Sequence, residues 1–281
     1  MKLKKEVISV NLEKYAVQQG VYNNFWKNFV KWFNDCLTLG EMEMRRIRHD
    51  PTDIFTRAVQ PILWLLVFGG TFTRLKAIPT GGVPYITFIT PGILSQSVMF
   101  IAIFYGLNLI WDKDQGIVQK FMALPVKRSA FVVGRTMGAT VRGFSQAVII
   151  LLVAILIKIQ IRWSILSVIG IIITVMIESI LFSSFSMILA ALMKTRERFM
   201  GIGQMITMPL FFTSSAIYPI DIMPEWLQIL AIINPLSYVV GILRALLVTG
   251  DLTNVFLYFA ILIGEVIVAI FIATKLYPRL A

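Results

Sequence analysis

Residues 163–193 read WSILSVIGIIITVMIESILFSSFSMILAALM, an apolar run broken by a single charged residue, Glu178. About 20 mostly apolar residues cross the ~30 Å hydrocarbon core of a bilayer, so this run spans with length left for tilt or projection. Comparable runs lie on either side of it. Upstream are 138–157, ending in AVIILLVAILI, then 85–111, interrupted by Pro91-Gly92, and 54–73 around PILWLLVFGG. Downstream are 199–218, with Pro209 inside, and 254–274. Six transmembrane helices follow, in an all-α integral membrane protein.

Composition points the same way. Of 281 residues, 57% are hydrophobic and 15% charged, and mean hydropathy is +0.79. That is too little charge to cover a soluble enzyme and too much apolar surface for a disordered chain. Cys36 is the single cysteine and His49 the single histidine, which excludes an intramolecular disulfide, a thiolate cluster and an HExxH site. No GxxxxGK[ST], GxSxG or SxxK occurs. The chain is read as a non-enzyme with no metal, no catalytic residue and no bound cofactor. Lys2, Lys4 and Lys5 precede only a four-residue apolar run before Glu13 and Lys14, which is not the pattern of a secretory signal.

The net charge of +11 sets topology rather than nucleic-acid binding, because Lys and Arg collect in cytoplasmic loops. With six spans and both termini cytoplasmic, 21 of the 26 basic residues face inward. Only Arg74, Lys76, Lys158, Arg162 and Arg244 face outward. Residues 1–50 form a cytoplasmic segment, and 51–281 the transmembrane domain. Within the former, Phe25, Phe29, Trp32, Phe33 and Cys36 recur at helical spacing beside Lys27 and Lys31, the pattern of a helix lying among lipid headgroups. The 219–251 stretch holds MPEWLQILAII and PLSYVVGILRALLV, parted by Asn234-Pro235. Each piece is too short to cross, which suits re-entrant helices on the outer face.

Two carboxylates lie inside spans, Glu178 beside Ser179, Ser183, Ser184 and Ser186, and Glu265. Each is either a path-lining or proton-carrying group, or a neutral carboxyl bonding neighbouring helices. Gly134 and Gly138 make a GxxxG, by itself a weak sign of helix contact. The loop WDKDQGIVQKFMALPVKRSAFVVGRTMGA, 111–139, is more telling. Gly116 permits a tight turn, and Ile117, Val118, Phe121, Met122 and Leu124 give a short apolar face ended by Pro125 and Lys127-Arg128. Such a face on the basic side of the membrane either docks on a separate soluble partner, the reading preferred here, or packs on the chain's own cytoplasmic helix ends.

This loop, PGILSQSVMF at 91–100 and LFFTSSAIYPIDIMPEWLQILAIINPLSYVVGILRALL at 210–247 together resemble the type-2 permeases of ATP-binding-cassette exporters, over 48–276. The resemblance implies a half-transporter working with a second copy or a paralogue, in a prokaryotic-type plasma (inner) membrane. It implies an ABC ATPase on a separate chain, which holds the ATP and Mg. It implies a coupling helix carried by Asp112, Gly116, Ile117, Phe121, Leu124, Pro125 and Arg128, and an outer gate of Pro219, Pro224, Trp226, Asn234, Pro235 and Tyr238. A cargo path is expected along Met99, Phe100, Phe104, Met205, Met208, Phe211 and Phe212, with Glu178 and Glu265 as further candidates. An amphipathic, lipid-linked or drug-like cargo fits such a soft Met and Phe surface. The alternative, a proton-coupled secondary transporter using Glu178 and Glu265, gives the 112–128 loop no role, and no inverted internal repeat supports it.

Overall fold

The computed structural model describes residues 25–49, 52–76, 78–124, 126–193 and 195–280, and every regular element among them is helical. Helix α1 is Phe25–His49. Helix α2 runs Thr52–Leu63, through a π-helical turn at Trp64–Gly69, to Gly70–Leu75. Helix α3 is Tyr85–Phe104 continued as Gly106–Asp114, α4 is Ile117–Met122, α5 Arg128–Leu156 and α6 Ile165–Leu192. Helix α7 is Arg196–Thr213, α8 Glu225–Ile233, α9 Pro235–Arg244 with a π turn at Ala245–Thr249, and α10 Val255–Leu276 with a 3-10 turn at Tyr277–Leu280.

Among the described residues, five helices are long and apolar enough to cross a membrane: Phe55–Leu75, Tyr85–Asp114, Arg128–Leu156, Ile165–Leu192 and Val255–Leu280. The third begins ten residues before its expected start at 138, because Arg135 is buried against an acid and does not end the helix. The segment expected at 199–218 folds as α7, whose 18 residues carry Arg196, Glu197 and Arg198 in the first turn and stop at Thr213. It is not among the five. Helices α8 and α9 meet at an 83° bend, the geometry of one broken span or a re-entrant pair. Of the 1–50 segment, 1–24 and 50 lie outside the described residues, as do Pro51 and Pro125.

Helix α3 is the axis of the bundle. Nearly every residue from Tyr85 to Ile103 is buried, ringed by α2, α5, α6 and α9. In lipid no hydrophobic force drives helices together, so small residues that admit close approach and interhelical hydrogen bonds do the work. At Gly143 of α5 a Cβ would strike Ser179 of α6, and at Gly92 of α3 it would lie 2.5 Å from the carbonyl of Ala216. Ser97 Oγ donates to Gln146 Oε1 at 2.8 Å, binding α3 to α5. Ser186 Oγ of α6 accepts from the amide of Gly106 at 3.0 Å, where α3 changes segment.

Helix α7 travels the length of α3. A Cβ at Gly106 would come within 2.9 Å of the Phe199 ring near one end of α7, and Ala216 abuts Gly92 just past the other. The bundle therefore has two distinguishable ends. At one, α1 and α4 meet the start of α5 and the last turn of α10, where Phe131 and Tyr277 stack at 5.9 Å. At the other lie the α2–α3 and α5–α6 connections and the α8–α9 pair.

Helix α1 lies on α5 through Trp32, Cys36, Leu39, Gly40 and Glu43, with Trp32 Nε1 donating to Ser129 Oγ at 3.0 Å. Phe29 and Phe33, expected on the same stripe, are exposed instead. The GxxxG of α5 is the seat: a Cβ at Gly134 would sit 2.5 Å from Leu39 Cβ, and one at Gly138 would sit 2.8 Å from Glu43 Cβ. Burial, with Asp35 nearby, pushes the Cys36 thiol up to about 11, so at neutral pH it is shielded and almost wholly protonated. Gly134→Val is expected to lift α1 off α5 and to raise the rate at which a maleimide modifies Cys36 at pH 7.5 by about tenfold or more, through exposure and a pKa nearer the usual ~8.5. An unchanged labelling rate in the folded variant contradicts this packing.

Candidate functional site

The strongest concentration of charge in the interior lies where α1, α3 and α5 converge beneath α4. Asp112 closes α3 and is buried. Arg46 of α1 donates to it from Nη2 to Oδ1 at 2.8 Å and from Nη1 to Oδ2 at 3.3 Å. Arg135 of α5, 2% exposed, donates from Nη2 to Asp112 Oδ2 at 2.5 Å. Glu43, wholly buried on α1, lies 3.9 Å from Arg135 and 4.0 Å from Arg46. Two cations face two anions, so the cluster is neutral as a whole. The Asp112 carboxylate raises the pKa of the Arg46 guanidinium further. Carboxylate and guanidinium geometry match bidentately, which fixes the three helices in register as well as in contact.

Helix α4 grows directly from this cluster. Gly116, at φ +68°, turns the chain left-handed between α3 and α4, a conformation that costs a residue with a Cβ about 1–2 kcal/mol. Val118 is fully buried. Phe121 is half-buried, its ring 5.7 Å from that of Phe131 and 5.9 Å from the Arg135 guanidinium. Ile117 and Phe121 line a shallow depression of ≈ 390 Å³ together with Met42, Arg45 and Arg46 of α1. Leu124 is 49% exposed, and Lys127 and Arg128 are exposed beside it. Of the residues expected to couple, Asp112 is a buried anchor, Ile117 and Phe121 are shared between the bundle and the surface, and Leu124 and Arg128 face outward. The α1 partners Arg46 and Glu43 were missed, because no local pattern links them to a loop some 70 residues on.

At the opposite end, Asn234 is the hinge between α8 and α9. Its side-chain amide donates to the Leu210 carbonyl at 2.6 Å and to Thr213 Oγ1 at 3.0 Å, while its Oδ1 accepts from the amide of Leu236 at 2.9 Å. Pro235 follows at the first helical position, where its missing N–H costs nothing. Tyr238 Oη donates to the Ile232 carbonyl. Pro219 and Pro224 precede the short helices at Ile220–Ile222 and Glu225–Ile233, and Trp226 is exposed.

The expected path residues separate. Met99 and Phe211 are fully buried in the core, Met208 is half-buried, and Met205 and Phe212 are exposed. Phe100 and Phe104 instead border a cleft of ≈ 360 Å³ between α2, α3 and α7, with Arg57, Gln60, Gln96 and Gln204. Those polar residues went unrecognised; their sign in the sequence is polar side chains one helical turn apart inside apolar runs. Glu178 is fully buried and accepts from Ser95 Oγ at 2.6 Å, and Glu265 is half-buried on α10. Among the described residues no three His, Cys, Asp or Glu side chains are placed to hold a metal ion.

Removing one member of the charge cluster leaves a buried charge unpaired, at a cost of about 3–5 kcal/mol. Asp112→Leu and Arg135→Leu are each expected to lower the apparent melting temperature in detergent strongly. The double variant should lose less than the sum of the two, since the partners act as one unit; strict additivity would contradict direct pairing. Glu178→Gln keeps an acceptor for Ser95 and is expected to melt close to wild type, whereas Glu178→Leu strands a buried hydroxyl and costs roughly 1–3 kcal/mol. Equal melting of the two variants would remove this role from the hydrogen bond.

The sequence of residues 34–248 matches the family model described as ABC-2 type transporter. Among curated proteins, the chain is 29% identical to the putative transport permease ycf38 of Cyanophora paradoxa over 204 residues, 72% of this chain and 70% of the relative. It is 24% identical to the daunorubicin resistance ABC transporter permease protein DrrB1 of Streptomyces coeruleorubidus over 204 residues, 73% and 71% of the two chains. It is also 24% identical to nodulation protein J of Rhizobium leguminosarum bv. viciae over 228 residues, 80% and 86%. The matched region takes in the charge cluster, α4, the cleft and the α8–α9 hinge, and the chain belongs to the ABC-2 type transporter family as a multi-pass membrane permease.

Proposed function

We propose that this chain is the membrane-spanning half of an ATP-driven exporter, and that α4 is the element through which a separate ABC ATPase moves it. The observation that carries the reading is the mounting of α4: a six-residue helix tied at its base to three helices by buried ion pairs, with Leu124 and Arg128 left outward. A push on α4 is transmitted to α1, α3 and α5 together, because Asp112, Arg46 and Arg135 join those helices directly beneath it.

Six spans are part of this reading, with α7 as a short crossing segment and α8–α9 as a re-entrant outer pair. The path of α7 along α3 supports it, as does the stacking of Tyr277 on Phe131 at the α1 end, since an even number of crossings returns the chain to its starting side. The 21-to-5 division of basic residues supports placing that end, and both termini, in the cytoplasm of a plasma membrane. Two copies, or this chain and a paralogue, pair across the membrane with residues 51–281 as the transporting domain. ATP and Mg belong to the partner ATPase, and alternating access opens the α8–α9 gate as α4 is displaced. The name of the daunorubicin-resistance relative supports an amphipathic or drug-like cargo.

The decisive residue is Leu124 rather than Phe121, whose packing on Phe131 confuses docking with folding. Burial of a leucine in a partner contributes about 2 kcal/mol, roughly thirtyfold in affinity. Leu124→Asp is therefore expected to abolish co-purification with the ATPase or transport-stimulated ATP hydrolysis in vesicles, with the melting temperature unchanged. Lys127→Ala should cost far less, as exposed charges contribute ~0–1 kcal/mol. Wild-type coupling in Leu124→Asp would remove α4 from the interface.

A further inference from the structure

We infer that the cleft between α2, α3 and α7 binds the uncharged, hydroxyl-bearing head of an amphiphile, held by the carboxamides of Gln60, Gln96 and Gln204. The inference rests on the export reading and names its class of cargo.

The floor of the cleft sets the chemistry. Gln96 is 2% exposed, it borders the cleft from α3, and its Oε1 has no hydrogen-bond partner among the described residues. Buried acceptors are ordinarily paired, and hydrocarbon offers no water to stand in for the missing bond. A ligand hydroxyl supplies the donor. Ser97, buried on the same wall, directs its own hydroxyl proton to Gln146 Oε1 at 2.8 Å, which leaves its oxygen to accept. Two acceptors side by side call for a ligand that brings more than one donor. Gln60 of α2 and Gln204 of α7 border the same space, and each carboxamide both donates and accepts through adjacent atoms. Hydroxyls also do both, so a head with several of them matches all three glutamines.

The walls do not ask for charge. No carboxylate lines the cleft to hold a cation. Arg57 already interacts within the chain, its guanidinium lying 5.9 Å from the centroid of the Phe104 ring, so it needs no anion from a ligand. Phe100 and Phe104, with ring centroids 6.0 Å apart, add an apolar wall on which the C–H face of a saturated ring packs. A volume of ≈ 360 Å³ lies at the small end of the ~300–1,000 Å³ range of ligand sites, enough for a polar head and not for an apolar tail as well. The tail has a way out along the rims, where Val59 and Leu63 are exposed on α2 and Met200 and Met205 on α7. The lining falls between positions 56 and 61 of α2, 96 and 107 of α3, and 200 and 204 of α7. Those are the halves of the helices toward α1 and α4, the side from which an exporter loads.

The test uses the full chain in phosphatidylcholine nanodiscs with no ATPase present, titrated with hexyl β-glucoside by calorimetry after subtraction of empty nanodiscs. Glucose supplies the hydroxyls without the tail. Hexyl tetra-O-methyl-β-glucoside supplies ring and tail without the donors, and hexyl phosphate and hexylammonium supply the tail with a charge. Saturable binding of hexyl glucoside is expected, with each of the other four at least about tenfold weaker. A site built to hydrogen-bond a hydroxyl rejects an analogue that lacks it, and one bond to a buried acceptor is worth about tenfold. Gln96→Leu should weaken hexyl glucoside about tenfold and leave the tetra-O-methyl compound unchanged. Gln204→Leu, at an exposed rim position, should weaken hexyl glucoside several-fold, which holds the assignment to account even if Gln96→Leu fails to fold. Absence of saturable binding, equal or tighter binding of any of the four comparison compounds, or wild-type affinity in the folded glutamine variants overturns the site. Because no ATPase is present, that outcome leaves the coupling role of α4 to be judged by Leu124→Asp alone.

Discussion

The fold turns on the contact between Asp112 and its two arginines. A carboxylate at the end of a membrane helix is costly unless paired, and here Arg46 and Arg135 reach it from two other helices at 2.8 and 2.5 Å. Glu43 balances the second positive charge. With three helices sharing one neutral cluster, none can slide or rotate without exposing a charge to a low-dielectric interior. That constraint makes α1 part of the bundle rather than a loose surface helix. It also sets where α4 begins.

The remainder is close packing along α3. Gly92, Gly106 and Gly143 let neighbours approach to backbone distance, and serine and glutamine side chains bond across the gaps. Arg244 of α9 extends this logic to the other end: its Nη2 donates to the Ser215 carbonyl at 2.6 Å and its guanidinium lies 3.9 Å from the Phe88 ring centroid. Asn234 ties the α8–α9 pair to α7, and Ser167 and Arg162 bond to the carbonyls of the turn that follows α9. The two ends are built differently: ion pairs beneath α4, and hydrogen bonds from side chains to backbone carbonyls about the bent pair opposite.

Hydropathy is a local sum, and it located five of the spans to within a few residues except at the start of α5. There Arg128 and Arg135 read as loop, because a charge counts against a span whether or not it has a partner. The stretch expected as a span at 199–218 differs: α7 carries three charges in its first turn, stops at Thr213 and is not among the five helices apolar enough to cross, although it packs beside α3. The candidate site was legible in part. Gly116, Phe121 and Leu124 stood out by turn chemistry and helical period, and Asn234-Pro235 as the break between two short apolar pieces. Met99 and Phe211, chosen for softness, proved to be core, since residue type does not say which way a side chain faces on a helix buried all round.

By itself the sequence determined the membrane class, the order of the helices, the basic end, the tight turn at Gly116 and the α8–α9 break, because each depends on residues adjacent along the chain. Only the tertiary structure decided that Gly134 and Gly138 seat α1, that Asp112 is a buried anchor, that α7 lines the axis, and that Arg57, Gln96 and Gln204 share a cleft. Those facts depend on pairs of residues tens of positions apart. Their meeting is set by which faces of separate helices find complementary shape and charge, and no window of sequence contains both partners.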